Sequence, residues 1–215
     1  MKILLAYPYF IEERIHAEDM DAVPMGLYFV GAALKKRGYR TDIVDWHARQ
    51  GTPERIREVL MEKAPDVIGV SILHGNRWGG IEIARMAREV LPRARIVFGG
   101  IGATFLWRHL LTHFSEIDFV VIGEGDRSFL ELVRCLDRGD EKGLEDVPGI
   151  AFRKGKKIFR TPDRKPVEDL DSLPIPAEYF AYQHVTSTRG CAWRCAFCGS
   201  PRFWGGRIRF RSPEH

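Results

Sequence analysis

Short unbroken apolar runs alternate along the first 140 residues with segments whose apolar positions recur every three or four residues. Lys2 to Tyr7, Arg40 to Asp45, Asp66 to Ile72, Arg95 to Phe98 and Asp118 to Ile122 read as five strands. Between them come helical stripes: Leu27, Val30 and Leu34, stopped at Gly38; Ile56, Val59 and Leu60, opened by Thr52-Pro53; Ile83, Ala84, Ala87 and Leu91, ended by Pro92. A further helix is expected from about Phe105 to Phe114, and a last one carries Phe129, Leu132, Val133 and Leu136 on one face. Strands that are apolar throughout, each followed by a helix, predict an α/β fold: a doubly wound, five-stranded parallel sheet covered on both faces. Ligands of such sheets bind outside the carboxyl ends of the strands, where the strand order reverses.

Beyond residue 140 the pattern changes. Residues 149–160 predict a hairpin turning at Lys154-Gly155, and Pro162 to Pro176 holds four prolines and reads as an extended linker. The expected organisation is a ligand-binding domain over 1–140, a hairpin and linker over 141–186, and a cysteine-bearing segment over 187–215. The chain has 215 residues, 45% hydrophobic and 29% charged, enough for one domain with an appendage. It is too short for that domain plus a complete (β/α) barrel of about 250 residues. No apolar run reaches the roughly 20 residues of a membrane span, and the N-terminal run reads as a strand, so a cytoplasmic location is expected.

The net charge of +4 is unevenly placed. From Ser187 onward Arg189, Arg194, Arg202, Arg207, Arg209 and Arg211 face one acid, Glu214, leaving 27 basic and 28 acidic side chains for the rest. The main domain therefore has no nucleic-acid signature. The tail arginines are expected to pack against a cluster, anionic cofactor groups or acidic parts of a following domain. Cys135, beside Leu136 on a helical face, reads as an inert buried thiol.

Cys191, Cys195 and Cys198 form a CxxxCxxC segment. Three thiolates this close suit zinc or an iron–sulfur cluster. Zinc needs a fourth ligand, for which His184 and His215 are candidates. A four-iron cluster on three ligands keeps one iron free of protein.

With Phe197 before the last cysteine, this segment resembles the radical S-adenosylmethionine family, specifically its members with an N-terminal cobalamin (B12)-binding domain. Pro24-Met25-Gly26-Leu27, Gly99-Gly100, Gly123-Glu124-Gly125-Asp126 and Asp169-Leu170-Asp171-Ser172-Leu173-Pro174 are similar to the same subgroup. The resemblance implies a flavodoxin-like corrinoid domain and a 4Fe-4S cluster on Cys191, Cys195 and Cys198 that binds S-adenosylmethionine and generates a 5′-deoxyadenosyl radical. It further implies a partial barrel beyond this chain, an electron donor, and chemistry of radical methylation or oxidative cyclisation. On that basis the chain reads as a fragment, inactive by itself.

In such a domain the cofactor's nucleotide tail threads into the sheet edge past small residues. Ser71 and Leu73 resemble the family's SxL element and Gly99-Gly100 its GG element, with Gly102, Ala103 and Thr104 extending the small-residue stretch. A bulky residue at Gly99 or Gly100 is expected to block the cofactor and spare the fold. The loop of His74, Gly75, Asn76 and Arg77 should border the corrin, or be a flexible loop with a helix cap. Gly123, Glu124 and Gly125 form a helix-entry turn suited to an anion or an amide-rich ligand, unless Ser128 and Glu131 make it a plain capping box. Asp45-Trp46-His47 is one residue too long for the motif whose histidine ligates cobalt, and follows the wrong strand. His16, in the loop after strand one, lacks the preceding Asp. Base-off cobalamin without a histidine ligand is expected. Two other classes remain: a doubly wound module for another ligand, opposed by the lack of GxGxxG after strand one, and a small zinc-binding interaction protein.

Overall fold

The computed structural model describes residues 1–11, 23–47 and 51–214. Its main sheet has seven strands in the order β2-β1-β3-β4-β5-β6-β7. The first five, β1 (Lys2–Tyr7), β2 (Arg40–Asp45), β3 (Val67–Ser71), β4 (Arg95–Gly99) and β5 (Phe119–Val121), are parallel. Helices α1 (Met25–Lys35), α2 (Pro53–Lys63), α3 (Arg77–Val90), α4 (Gly100–His113) and α5 (Gly125–Arg138) connect and follow them. The order reverses between β1 and β3, the switch point at which doubly wound sheets open a crevice.

The expected hairpin, β6 (Ile150–Lys154) and β7 (Lys157–Arg160), turns at Gly155. It is not a separate appendage. Val121 pairs with Ile150 and Phe119 with Phe152, so the hairpin extends the sheet antiparallel to β5.

Alternation along the strands divides the core into two layers. Leu4, Ala6, Ile68, Val70, Ile96 and Phe98 face α2, α3 and α4, packing on Ile56, Leu60, Ile83 and Leu110. Ile3, Leu5, Tyr7, Val67, Val97 and Val121 face α1 and α5, packing on Leu27, Leu34, Phe129 and Leu132. Each fully buried Leu or Ile contributes about 1.5–3 kcal/mol of apolar transfer, so the central strands hold the two layers together.

Helix ends follow their sequence signals where local chemistry decides. The Thr52 hydroxyl accepts from Arg55 N (3.3 Å) ahead of Pro53, and α5 stops at left-handed Gly139. The alternative of a capping box at Ser128 and Glu131 is not seen, since α5 has no side-chain cap hydrogen bond. Ser128 Oγ donates to Pro148 O (2.8 Å) and accepts from Arg164 Nε (2.8 Å), while Glu131 pairs with Arg164. The proline-rich segment is extended but docked: Gly149 N donates to Pro162 O (2.8 Å), and Val167, Leu170 and Leu173 form a small buried cluster. Farther on, Phe180 occupies the space left by Gly31 on α1. After it come β8 (Thr188–Gly190), the short helix α6 (Ser200–Trp204) and β9 (Ile208–Phe210), with β8 and β9 forming a small antiparallel sheet.

Candidate functional site

A cavity of about 440 Å³ opens at the carboxyl ends of the parallel strands, on the α1/α5 side. Its sheet wall is built from Leu5 and Tyr7 of β1, Gly69 and Ser71 of β3, Val97 and Gly99 of β4, and Val121 of β5. These sit at odd-numbered positions, on the face of the pleat toward α1 and α5, and Val70 of β3 also reaches the wall. Leu27 and Val30 of α1 and Phe129 of α5 form the other side, and Arg189, Gly190, Phe203 and Trp204 lie over the mouth.

Small residues make this space. Gly99 has extended backbone, φ −150° and ψ −173°, and a Cβ there would meet only Val121 Cβ at 3.9 Å. Gly123 would meet nothing within 4 Å. At Gly99 this leaves open volume rather than avoiding a clash, whereas Gly123 has φ +78°, a left-handed backbone that itself favours glycine. Gly100 and Gly102 serve a different need. Gly100 has φ +87°, and its Cβ would stand 2.8 Å from Ile72 O and 2.9 Å from Ser71 Oγ. At Gly102 it would stand 2.7 Å from the Leu73 carbonyl carbon. These two allow α4 to start against the β3 carboxyl end, so a side chain at Gly100 would strain the backbone as one at Gly99 would not.

Of the residues singled out in the sequence, Ser71, Leu73, Gly99, Gly100, Gly123, Glu124 and Gly125 line the cavity. His74, Asn76, Gly102 and Thr104 are not among its walls. His74 is exposed. Asn76 is fully buried; its Oδ1 accepts from Leu73 N (2.7 Å) and its Nδ2 donates to Pro8 O (3.3 Å), pinning the β3–α3 loop to the end of β1. The Thr104 hydroxyl donates to Gly100 O (2.9 Å) and accepts from Gly123 N (3.0 Å), tying two cavity loops together. The Glu124 carboxylate is engaged by Arg209 and by Val167 N (2.8 Å).

Tyr7 was not singled out beforehand. It ends β1 in the cavity wall, and burial, aided by the neighbouring Asp45 carboxylate, pushes its hydroxyl pKa up to about 12. Gly69 was also missed. A Cβ there would come within 2.8 Å of Leu5 and 3.0 Å of Phe129, so glycine sets the depth of the cavity floor. A lone glycine inside an apolar strand was its available signal. His47 stacks edge-on against Phe10 and Tyr7, with ring centroids 4.9 and 6.4 Å apart, and is not among the cavity walls. His16 and His215 lie outside the described residues.

The cysteine segment follows β8. Cys195 and Cys198 are exposed, Cys191 is partly covered, and all four cysteines are free thiols. Hydrogen bonding from Ser200, through its side chain and its backbone N–H (3.5 Å), holds the Cys198 thiol below its ordinary pKa. Among the described residues no three His, Cys, Asp or Glu side chains are gathered closely enough to hold a metal ion. The donor types suit a soft metal or cluster, while the loop spreads them toward solvent. Burial, aided by Asp140, raises the half-buried Cys135 thiol.

Among the described residues, three of the six tail arginines have acidic partners within the chain, Arg207 lying 3.2 Å from Glu168. Arg189 is paired with Asp126, and Arg209 with Glu124, at the start of α5.

Residues 17–133 match the family of B12-binding domains. The chain belongs to the B12-binding domain family. This B12-binding domain is 30% identical over 95% of its length to the anaerobic magnesium-protoporphyrin IX monomethyl ester cyclase of Cereibacter sphaeroides. It is 28% identical over its whole length to an uncharacterised methyltransferase of Pyrococcus horikoshii. The chain spans 36% and 48% of those relatives' lengths. In fold it is similar to the cobalamin-dependent S-adenosylmethionine radical enzyme OxsB with aqua-cobalamin bound, with a TM-score of 0.79 and 18% identity over 99% of this chain and 30% of that one. It is also similar to the radical S-adenosylmethionine methyltransferase TsrM from Kitasatospora setae, with a TM-score of 0.74 and 20% identity over 98% of this chain and 43% of that one. Among the described residues no helix is long and apolar enough to cross a membrane.

Proposed function

We propose that the cavity receives the nucleotide tail of a corrinoid, and that the chain is the cofactor-holding part of a cobalamin-dependent radical S-adenosylmethionine enzyme. The open space at Gly99, on the floor set by Gly69, carries this reading: an apolar slot between sheet and helices, about 440 Å³ in volume, at the switch point. That volume lies in the ordinary range of about 300–1,000 Å³ for small-molecule pockets, enough for the tail and leaving the corrin at the mouth.

In this reading Ser71, Leu73, Gly99 and the backbone of Gly123 and Gly125 border the tail. Gly100, Gly102, Thr104 and Asn76 hold the loops that shape its entrance. His74 faces the solvent side of that entrance, where corrin side chains would pass, and Glu124 anchors the loop rather than touching the cofactor. Cys191, Cys195 and Cys198 are the three thiolates for a 4Fe-4S cluster. A bound corrinoid would supply methyl-transfer or related radical chemistry, and a cluster on these thiolates would supply electrons for chemistry on S-adenosylmethionine. The protein's part is to orient these groups and exclude water. The relatives' names support methylation or ring closure as the reaction of the whole enzyme. Such an enzyme needs a barrel, an electron donor and a reducing, cytoplasmic setting, with which four free thiols agree.

The test is the visible spectrum of the purified chain after incubation with hydroxocobalamin and gel filtration. A co-eluting corrinoid with a base-off spectrum is expected. A spectrum with histidine on cobalt would overturn the absence of a His ligand, and a folded chain that retains no corrinoid would overturn the reading.

A further inference from the structure

Arg189 of β8 and Arg209 of β9 are directly opposite one another in the small sheet. Like charges so placed repel, yet both side chains are buried, with 10% and 7% of their surface exposed. The first turn of α5 supplies the compensation. Asp126 accepts from Arg189 Nη1 at 2.8 Å and from Nη2 at 3.1 Å. Glu124 accepts from Arg209 through both carboxylate oxygens, one of them at 3.1 Å from Nη1. Carboxylates at this end of a helix are favoured by its macrodipole. The guanidinium of Arg189 also lies 4.5 Å over the Phe29 ring of α1, and that of Arg209 lies 5.5 Å over Trp204. Arg209 Nη1 donates to Val167 O (2.6 Å) while Val167 N donates to Glu124, so the linker is threaded between the two partners.

Two strands are thus fastened to one helix end by two forked, buried ion pairs. An exposed ion pair contributes little, whereas removing one partner of a buried pair leaves the other charge stranded away from water. The fastened strands flank the cysteine segment, for Cys191 follows Gly190 directly and α6 runs into β9. The acids that hold them, at the start of α5, are themselves among the residues that line the cavity.

We propose that Glu124 and Asp126 are positioning residues that fix the root of the cysteine loop against the mouth of the cavity. Their purpose, bringing a cluster to a corrinoid, rests on the function proposed above; the docking itself does not. The two carboxylates act through Arg189 and Arg209 and need not touch either cofactor.

The experiment compares the whole chain with Glu124→Gln/Asp126→Asn, Arg189→Lys and Asp126→Glu by hydrogen exchange. Amides of β8 and β9 are read against those of β1, β3 and β4. The double variant is expected to exchange at least tenfold faster in β8 and β9 with the inner strands unchanged, and Asp126→Glu to recover most of the protection. Should the double variant fail to fold, Arg189→Lys, which keeps the charge and loses the fork, is expected to accelerate β8 alone. A second readout is the electron paramagnetic resonance signal of chains reconstituted anaerobically with iron and sulfide and then reduced. The double variant should show a weaker, broader signal than the parent, and Asp126→Glu should restore it. Unchanged exchange in the folded variants, or faster exchange with an unaltered signal, overturns the proposal. Retention of hydroxocobalamin by the unmutated chain is scored separately, so a failure there removes the corrinoid reading and leaves the exchange result standing.

Discussion

Replacing Gly99 with leucine separates ligand space from structural need. The backbone at Gly99 is extended and open to any residue, and a Cβ there has one neighbour at 3.9 Å. The fold should therefore change by less than about 1 kcal/mol, with some gain from removing a glycine from a strand. The leucine side chain would instead enter the cavity and displace part of the proposed tail. An aromatic base of about ten non-hydrogen atoms, at about 0.3 kcal/mol per atom, contributes about 3 kcal/mol. Its exclusion is worth roughly a hundredfold in Kd. Gly100→Ala is the companion variant, because φ +87° and contacts of 2.8 and 2.9 Å to Ile72 O and Ser71 Oγ leave no room for a methyl group. Strain of about 1–3 kcal/mol lowers Tm by several degrees at about 2–4 °C per kcal/mol. The assay is hydroxocobalamin titration followed in the visible, with Tm by calorimetry on the same samples. Gly99→Leu binding as tightly as the parent would remove the cavity as the tail site. A collapse of Tm in Gly99→Leu would refute the statement that the space there is open.

Other outcomes follow from the same geometry. Asn76→Ala leaves Leu73 N and Pro8 O without their partners and should cost about 2–3 kcal/mol, read as a Tm loss of several degrees. Tyr7 has a folded pKa of about 12 against the ordinary 10, so its contribution is whole below pH 10 and fades as pH rises from 10 to 12. Tyr7→Phe should therefore lose less Tm than the parent across that window. Arg211 has both terminal nitrogens buried without a hydrogen-bond partner, and burial and the nearby Arg189 guanidinium lower its pKa. Arg211→Met, which gives up the guanidinium lying 5.3 Å over Phe29 but also removes the unpartnered nitrogens, should hold or raise Tm, and a loss of more than about 1 kcal/mol would contradict the account of that group.

The parallel strands were legible from apolar runs bounded by turn residues in all but β2, whose apolar stretch is only Ile43 and Val44 between Asp42 and Asp45. The start of α4 was not. Helical periodicity begins at Phe105, but the helix begins at Gly100, within a glycine-rich stretch of poor helix propensity. Close approach to Ile72 and Leu73 overrides that propensity, and only the packed structure shows it. The hairpin was readable from its turn, whereas its attachment to β5 depends on a non-local pairing. At the site, small residues announced a channel near Gly99 but did not separate the glycine that leaves space from those that avoid contact. Asp126 and Arg189 lie 63 residues apart, and Glu124 and Arg209 lie 85 apart. No local pattern links such pairs, so Arg189 and Arg209 read as excess charge although each is matched by an acid at the start of α5.

The sheet's two borders have a consequence for how copies of the chain meet. On one side β2 exposes Arg40 and Asp42, with Asp42 held by Lys63 at 2.9 Å. On the other, β7 exposes Lys157 and Arg160, the latter stacked over Trp107 at 5.3 Å. Charged side chains along an edge oppose the addition of another strand. Without the hairpin, the border would be the fully buried strand Phe119–Val121, a short apolar template open to intermolecular pairing. Residues 150–160 therefore act as a selvedge: a chain cut before them should precipitate through sheet-to-sheet growth, and one that retains them should stay dispersed.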